Sequence, residues 1–165
     1  MTEKLVIDAH AWIEYLTATN TGAKIKTLLE KENTETFTCA VTLAEVISKI
    51  AREQLDTEYA YAIVTSNSEI VDADDQLSKQ TGILHAQIRK AKKDFGLADA
   101  YVLATARLLN ARILAGDPHF KNIKEAIMMT NNPNATKPAS ISSGYETKSS
   151  KTPKTYPHHK PLPKK

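Results

Sequence analysis

The chain has 165 residues, enough for one domain with a substantial core. Hydrophobic residues make up 41% and charged residues 25%, an ordinary balance for a globular protein. No apolar run approaches the roughly 18 residues that a membrane helix needs, so no membrane partner is expected. The opening "MTEKLVID" lacks the charged-then-apolar layout of a signal peptide. Cys39 is the lone cysteine, which excludes an internal disulfide and a cysteine-based zinc site. The expected setting is the cytoplasm. The net charge of +3 is unevenly divided: residues 131–165 hold seven lysines and one acid, Glu146, a balance of +6. Residues 1–130 hold 15 basic and 18 acidic side chains, a balance of −3. A basic chain invites a nucleic-acid partner, but here the basic excess belongs to the tail.

In chain order, "KLVID" predicts a short strand. "AHAWIEYLTA" places Trp12, Ile13 and Leu16 on one helical face, and "GAKIKTLLEKE" does the same with Ile25, Leu28 and Leu29. "ETFTCA" alternates like a strand. "TLAEVISKIAREQ" returns to helix, with Thr42 read as its N-cap and Glu45 three places later at capping-box spacing. "EIVDA" is a strand, followed by a long helix over "DDQLSKQTGILHAQIRKAK", with the acids at 72–75 ending the one and capping the other. "LADAYVLATARLLN" is helical, "ARILAG" is strand and "AIMMT" is a last strand. Strands alternating with helices predict an α/β fold with a parallel sheet.

Residues 131–165 hold six of the seven prolines and almost no aliphatic side chains. Too little apolar surface is present to offset the ordering entropy, so a disordered basic tail is expected. It is either a native arm or a stretch added for expression. His158 and His159 read as solvated residues of that tail.

In a parallel sheet all strands end on the same edge, where ligands bind. Asp8 ends the first strand, Glu45 opens the helix after "TFTCA", and Asp117 follows the strand "RIL" after an Ala-Gly turn. Asp99 lies in the first turn of "LADAYVLATA". Each has an ordinary alternative reading as a cap, a dipole partner or turn chemistry. Four acids on one edge, with no lysine or arginine in the same motifs, repel one another and call for a hard divalent cation.

"LVIDAHAWIEYL", "TLAEV", "GLADAYVLATA" and "ILAGDPHF" stand in the order and surroundings of PIN-domain ribonucleases. Across roughly residues 4–130 the chain resembles most closely the VapC-type toxins of prokaryotic toxin–antitoxin pairs. The resemblance implies a PIN-like three-layer α/β/α sandwich with a central parallel sheet, forming a nuclease domain over residues 1–130. It implies that Asp8, Glu45, Asp99 and Asp117 hold one or two Mg²⁺ or Mn²⁺ ions and cleave RNA phosphodiester bonds, leaving a 5′-phosphate and a 3′-hydroxyl. Asp8 and Asp99 would be essential ligands, Glu45 a ligand or water-orienting base, and Asp117 a ligand acting directly or through water. A homodimer is implied, with a VapB-like antitoxin threading a segment across the acidic groove and presenting an arginine to it.

One position departs from the family pattern. Where a Ser or Thr usually follows the first aspartate by two residues, this chain has His10. His10 can donate a hydrogen bond, or meet a phosphate when protonated; it can equally mark altered metal preference or weakened activity. "RKAKKDFG" offers Arg89, Lys90, Lys92 and Lys93 as an RNA-contacting rim or as an ordinary solvated helix end. Asp94 is a minor candidate for the site. Trp12, Tyr15 and Cys39 read as core or contact residues, and His85 and His119 as ordinary polar residues. Other classes fit less well. A receiver domain wants a lysine after a late strand, where "RILAGDPHFK" supplies an aspartate. A haloacid-dehalogenase-like phosphatase wants an aspartate at position 10. A catalytically weak RNA-binding or assembly module, and a ribosomal RNA processing nuclease, stay open.

Overall fold

The computed structural model describes residues 2–129; the expected basic tail lies outside the described residues. Five strands, β1 (Glu3–Ile7), β2 (Thr34–Cys39), β3 (Glu69–Val71), β4 (Arg112–Ala115) and β5 (Ala126–Met128), form one sheet in the order β3-β2-β1-β4-β5. Every pairing is parallel. β1 is central, with Val6 opposite both Phe37 of β2 and Ile113 of β4. The chain winds outward from β1 to β3, then restarts at β4 on the other side of β1. That reversal makes the crevice beyond the carboxyl ends of β1 and β4 the natural ligand position.

Six helices cover the sheet: α1 (Ala9–Leu16), α2 (Asn20–Leu29), α3 (Ala40–Arg52), α4 (Thr57–Asn67), α5 (Asp75–Ile88) and α6 (Leu97–Leu109). Side chains alternate across a strand, and both faces are buried here. Leu5 and Ile7 of β1, with Leu114 of β4, join the core made by Trp12, Leu16, Ile25, Val46, Ile50 and Ile63 of α1–α4. Val6, Ile113 and Ala115 point the other way, against Phe95, Val102, Leu103 and Phe120. The result is the expected three-layer α/β/α sandwich.

Three details differ from the sequence reading. Thr42 is not a cap: α3 begins at Ala40 behind Cys39, and Thr42 is a buried helical residue. Moving the cap three residues earlier, from Thr42 to Cys39, puts Glu45 beyond the capping positions, so its carboxylate is not committed to the helix end. α5 stops at Ile88, and residues 89–94 form turns instead of continuing the helix. Residues 57–67, left unassigned by pattern, form α4.

A buried hydroxyl relay joins the layers. The Trp12 indole Nε1–H donates to Thr38 Oγ1 at 2.9 Å, and Thr38 Oγ1 pairs with Ser68 Oγ at 2.8 Å. Ser68 Oγ also donates to the Val64 carbonyl at 2.8 Å. This chain ties α1, β2 and the end of α4 together. Thr38→Val is expected to leave the fully buried indole N–H unpaired and to cost about 1–3 kcal/mol. Thr38→Ser, which keeps the hydroxyl, should cost clearly less; urea unfolding of both variants checks the difference.

Candidate metal centre and active site

Asp8 follows β1 and caps α1. Its Oδ1 accepts from Ala11 N at 2.6 Å, while Oδ2 accepts from Gly116 N at 3.2 Å and Asp117 N at 3.4 Å. The carboxylate therefore serves as a cap and also fastens the turn after β4. At 2% exposure it is almost completely out of water. Burial pushes its pKa up to about 7, only partly offset by the three backbone donors, and repulsion from Asp117 adds to the rise.

Asp99 occupies the third position of α6. Its Oδ2 accepts from Gly96 N at 3.1 Å, and a Cβ on residue 96 would stand 3.0 Å from the same oxygen. Glycine at 96 thus leaves room for the carboxylate. Burial raises the Asp99 pKa and Asp117 raises it further, against lowering contributions from Gly96 N–H and His119. Glu45 keeps access to solvent, yet its carboxyl is also held above the usual range, by desolvation first and then by Asp99 and Asp117. Asp117 caps the short 3-10 turn Pro118–Phe120, with Oδ1 accepting from His119 N at 2.7 Å.

The structure brings Asp99, Asp117 and His119 together, with one ligand atom from each lying within 4.8 Å of the other two. His119 Nδ1 is 3.1 Å from Asp99 Oδ2 and 3.1 Å from Asp117 Oδ1. Asp8 adjoins this group through its bonds to residues 116 and 117, and Glu45 through its repulsion by Asp99 and Asp117. His119 was read from sequence as an ordinary polar residue; the geometry corrects that, and only its place in "GDPHF" hinted at it. Asp94 Oδ2 lies 3.6 Å from His119 Nε2, at the outer edge of the cluster.

The basic residues divide. Lys92 Nζ donates to the carbonyls of His119 and Lys121, and lies over the Phe95 ring. It holds the turn that carries Asp117 and His119. Arg89, Lys90 and Lys93 are exposed on the adjoining segment. His10 packs on the other side of the turn: a Cβ on residue 116 would fall 2.1 Å from His10 Nδ1, so the ring occupies the space that Gly116 leaves open. Its Nε2 is 3.9 Å from Glu14 Oε1, and Nδ1 is buried without a hydrogen-bond partner among the described residues.

The donor set fits a divalent cation. Several carboxyls are held above their usual range by burial and by one another, so a bound cation would relieve both costs. The sign of the pH effect follows. Asp8, Glu45 and Asp99 all bind protons more tightly in the folded state than in the unfolded chain, so the metal-free fold loses stability as pH rises. For Asp8 the window runs from 3.8 to about 7, worth at most roughly 4 kcal/mol. Urea unfolding of chelator-treated protein should show stability falling between about pH 4 and about pH 7 and levelling above that. Added Mg²⁺ should restore it at the upper end and have little effect at the lower. A flat profile, unchanged by Mg²⁺, would contradict this electrostatic description.

A PIN domain family model matches residues 5–126. No curated protein matches the chain by sequence. Among solved structures, a toxin–antitoxin complex from Klebsiella pneumoniae aligns at 18% identity with a TM-score of 0.61, over 78% of this chain and 99% of that one. VapC20 of Mycobacterium tuberculosis, a sarcin–ricin loop cleaving toxin, aligns at 17% identity and TM-score 0.61, over 73% and 95%. VapBC2 of Rickettsia felis, bound to a DNA fragment from its promoter, aligns at 18% identity and TM-score 0.60, over 76% and 96%. At such identities these structures share the fold. With a family model spanning most of its length, the chain belongs to the PIN domain family.

Proposed function

We propose that this protein is a metal-dependent endoribonuclease, acting as the toxin of a VapBC-type pair. The observation that carries the reading is the convergence of Asp99 and Asp117 beside Asp8 at the carboxyl edge of β1 and β4. Glu45 joins them from α3. Asp8, Glu45, Asp99 and Asp117 would hold Mg²⁺ or Mn²⁺. When bound, such an ion lowers the pKa of its water and offsets charge developing on the phosphate. Asp8, locked by three backbone donors, would orient the centre. Asp99 and Asp117 would present carboxylate oxygens to it from α6 and the β4 turn. Glu45, which reaches solvent, would take a proton from the attacking water.

The rim supports RNA as the substrate. Lys92 binds the backbone of the turn that carries His119, and the exposed Arg89, Lys90 and Lys93 lie on the same short segment. Exposed cations there would contact backbone phosphates flanking the scissile bond and offset the repulsion between RNA and the carboxylates. His10, at the opposite side of the Gly116 turn, would contact the phosphate or sugar. An antitoxin partner is supported by structural neighbours that are toxin–antitoxin complexes. An arginine of such a partner would pair bidentately with these acids and silence the site. A homodimer is proposed from the resemblance of the sequence to its family alone.

The test is cleavage of a mixed RNA pool with Mg²⁺, with Mn²⁺ and with chelator, comparing wild type with Asp99→Asn. Cutting should require a divalent ion and fall by about two orders of magnitude in the variant, the scale of losing one electrostatic stabiliser. Folded, antitoxin-free protein that binds RNA but cuts with neither ion would contradict the enzyme and favour an RNA-binding module.

A further inference from the structure

The acids alone would make a hard, oxygen-only site. His119 changes its chemistry. We infer that His119 is a direct nitrogen ligand of the metal centre, and that it makes the site prefer Mn²⁺ over Mg²⁺. This rests on the metal-site reading above and concerns which ion the site selects.

The imidazole is held on several sides. Its backbone N–H donates to Asp117 Oδ1 at 2.7 Å, and its carbonyl accepts from Lys92 Nζ. Nδ1 is thereby aimed at the acid pair, 3.1 Å from an oxygen of each carboxylate. Nε2 faces outward, 3.6 Å from Asp94 Oδ2. One ring nitrogen lies against the carboxylates that would hold the ion, and the other stands near an outer acid, beyond direct hydrogen-bond reach. Nδ1, in contact with both carboxylates, would release any proton it shares with them when the ion binds and turn its lone pair to it.

The preference follows from ligand chemistry. Mg²⁺ is a hard ion that demands oxygen ligands and keeps its waters. A neutral imidazole adds affinity for first-row transition ions, in an order that begins at Mn²⁺. Four acids with one imidazole therefore still accept Mg²⁺ but bind Mn²⁺ better.

The test uses ion binding, not catalysis. Mn²⁺ and Mg²⁺ are titrated separately into metal-free full-length protein, and electron spin-echo envelope modulation of bound Mn²⁺ reads out ¹⁴N coordination. Wild type, His119→Gln, Asp94→Asn and Asp99→Asn are compared, with folding checked by circular dichroism. Wild type should bind Mn²⁺ more tightly than Mg²⁺ and show ¹⁴N coupling. His119→Gln should lose the coupling and weaken Mn²⁺ binding by about tenfold or more, with Mg²⁺ binding little changed. Because Asp94 is 72% exposed at its side chain, Asp94→Asn should fold normally, keep the coupling and weaken Mn²⁺ by a smaller factor. Coupling that survives His119→Gln would trace the nitrogen to another histidine and overturn the inference. Equal affinities with no ¹⁴N signal would overturn it too, while leaving the metal site standing if Asp99→Asn abolishes binding of both ions. Failure of wild type to bind either ion would sink the inference together with the metal-dependent reading.

Discussion

The Asp8 carboxylate is the point on which the candidate site depends. It is buried at the end of the central strand and accepts backbone hydrogens from Ala11, Gly116 and Asp117. The first of these starts α1, and the other two fix the turn that carries Asp117 and His119. Burying an ionisable group is costly unless its hydrogen bonds are satisfied and its charge is balanced. The backbone supplies the first condition here. Among the described residues no cation pairs with Asp8, and its pKa rises to about 7. A fold that keeps a carboxylate in this state, with Asp99, Asp117 and Glu45 around it, places its unmet electrostatic demand at one spot.

Much of this arrangement was legible in the sequence, because it follows from chain direction. In a parallel sheet each strand ends on the same edge, so "KLVID" and "RILAGD" had to deliver Asp8 and Asp117 to one side. Gly96 before "LADAY" likewise announced the start of α6 and put Asp99 in its first turn. The parts that were missed involve signals the local pattern hides. The buried residues of α4, Ala60, Ile63, Val64 and Asn67, are at helical spacing, but an alanine and an asparagine blur the apolar stripe. The Thr42–Glu45 spacing imitated a capping box inside a helix that had already begun at Ala40. His119 reaches Asp99 across a gap of twenty residues, a contact that only the packing of the 3-10 turn against α6 creates.

Positive charge near the acids is arranged at two distances. Lys92, half-buried, is used on the carbonyls of His119 and Lys121, where it fixes the turn. Arg89, Lys90 and Lys93 remain exposed on the same segment, because α5 ends at Ile88 and the chain turns there. Stopping the helix early therefore leaves these cations exposed on the segment that Lys92 ties to the turn carrying His119. On the far side, His10 and Gly116 are matched in volume: the ring lies where a side chain at 116 would be. The departure from a small hydroxyl residue at position 10 is accommodated by the turn and leaves the strand edge in place.

The central claim is that these acids form one metal centre, and diffraction from a crystal grown with Mn²⁺ tests it most directly. The account predicts an anomalous difference peak bounded by carboxylate oxygens of Asp8, Asp99 and Asp117, reduced or lost in Asp99→Asn crystals. Well-ordered acids with no peak among them, or Mn²⁺ found only on surface carboxylates elsewhere, would contradict it.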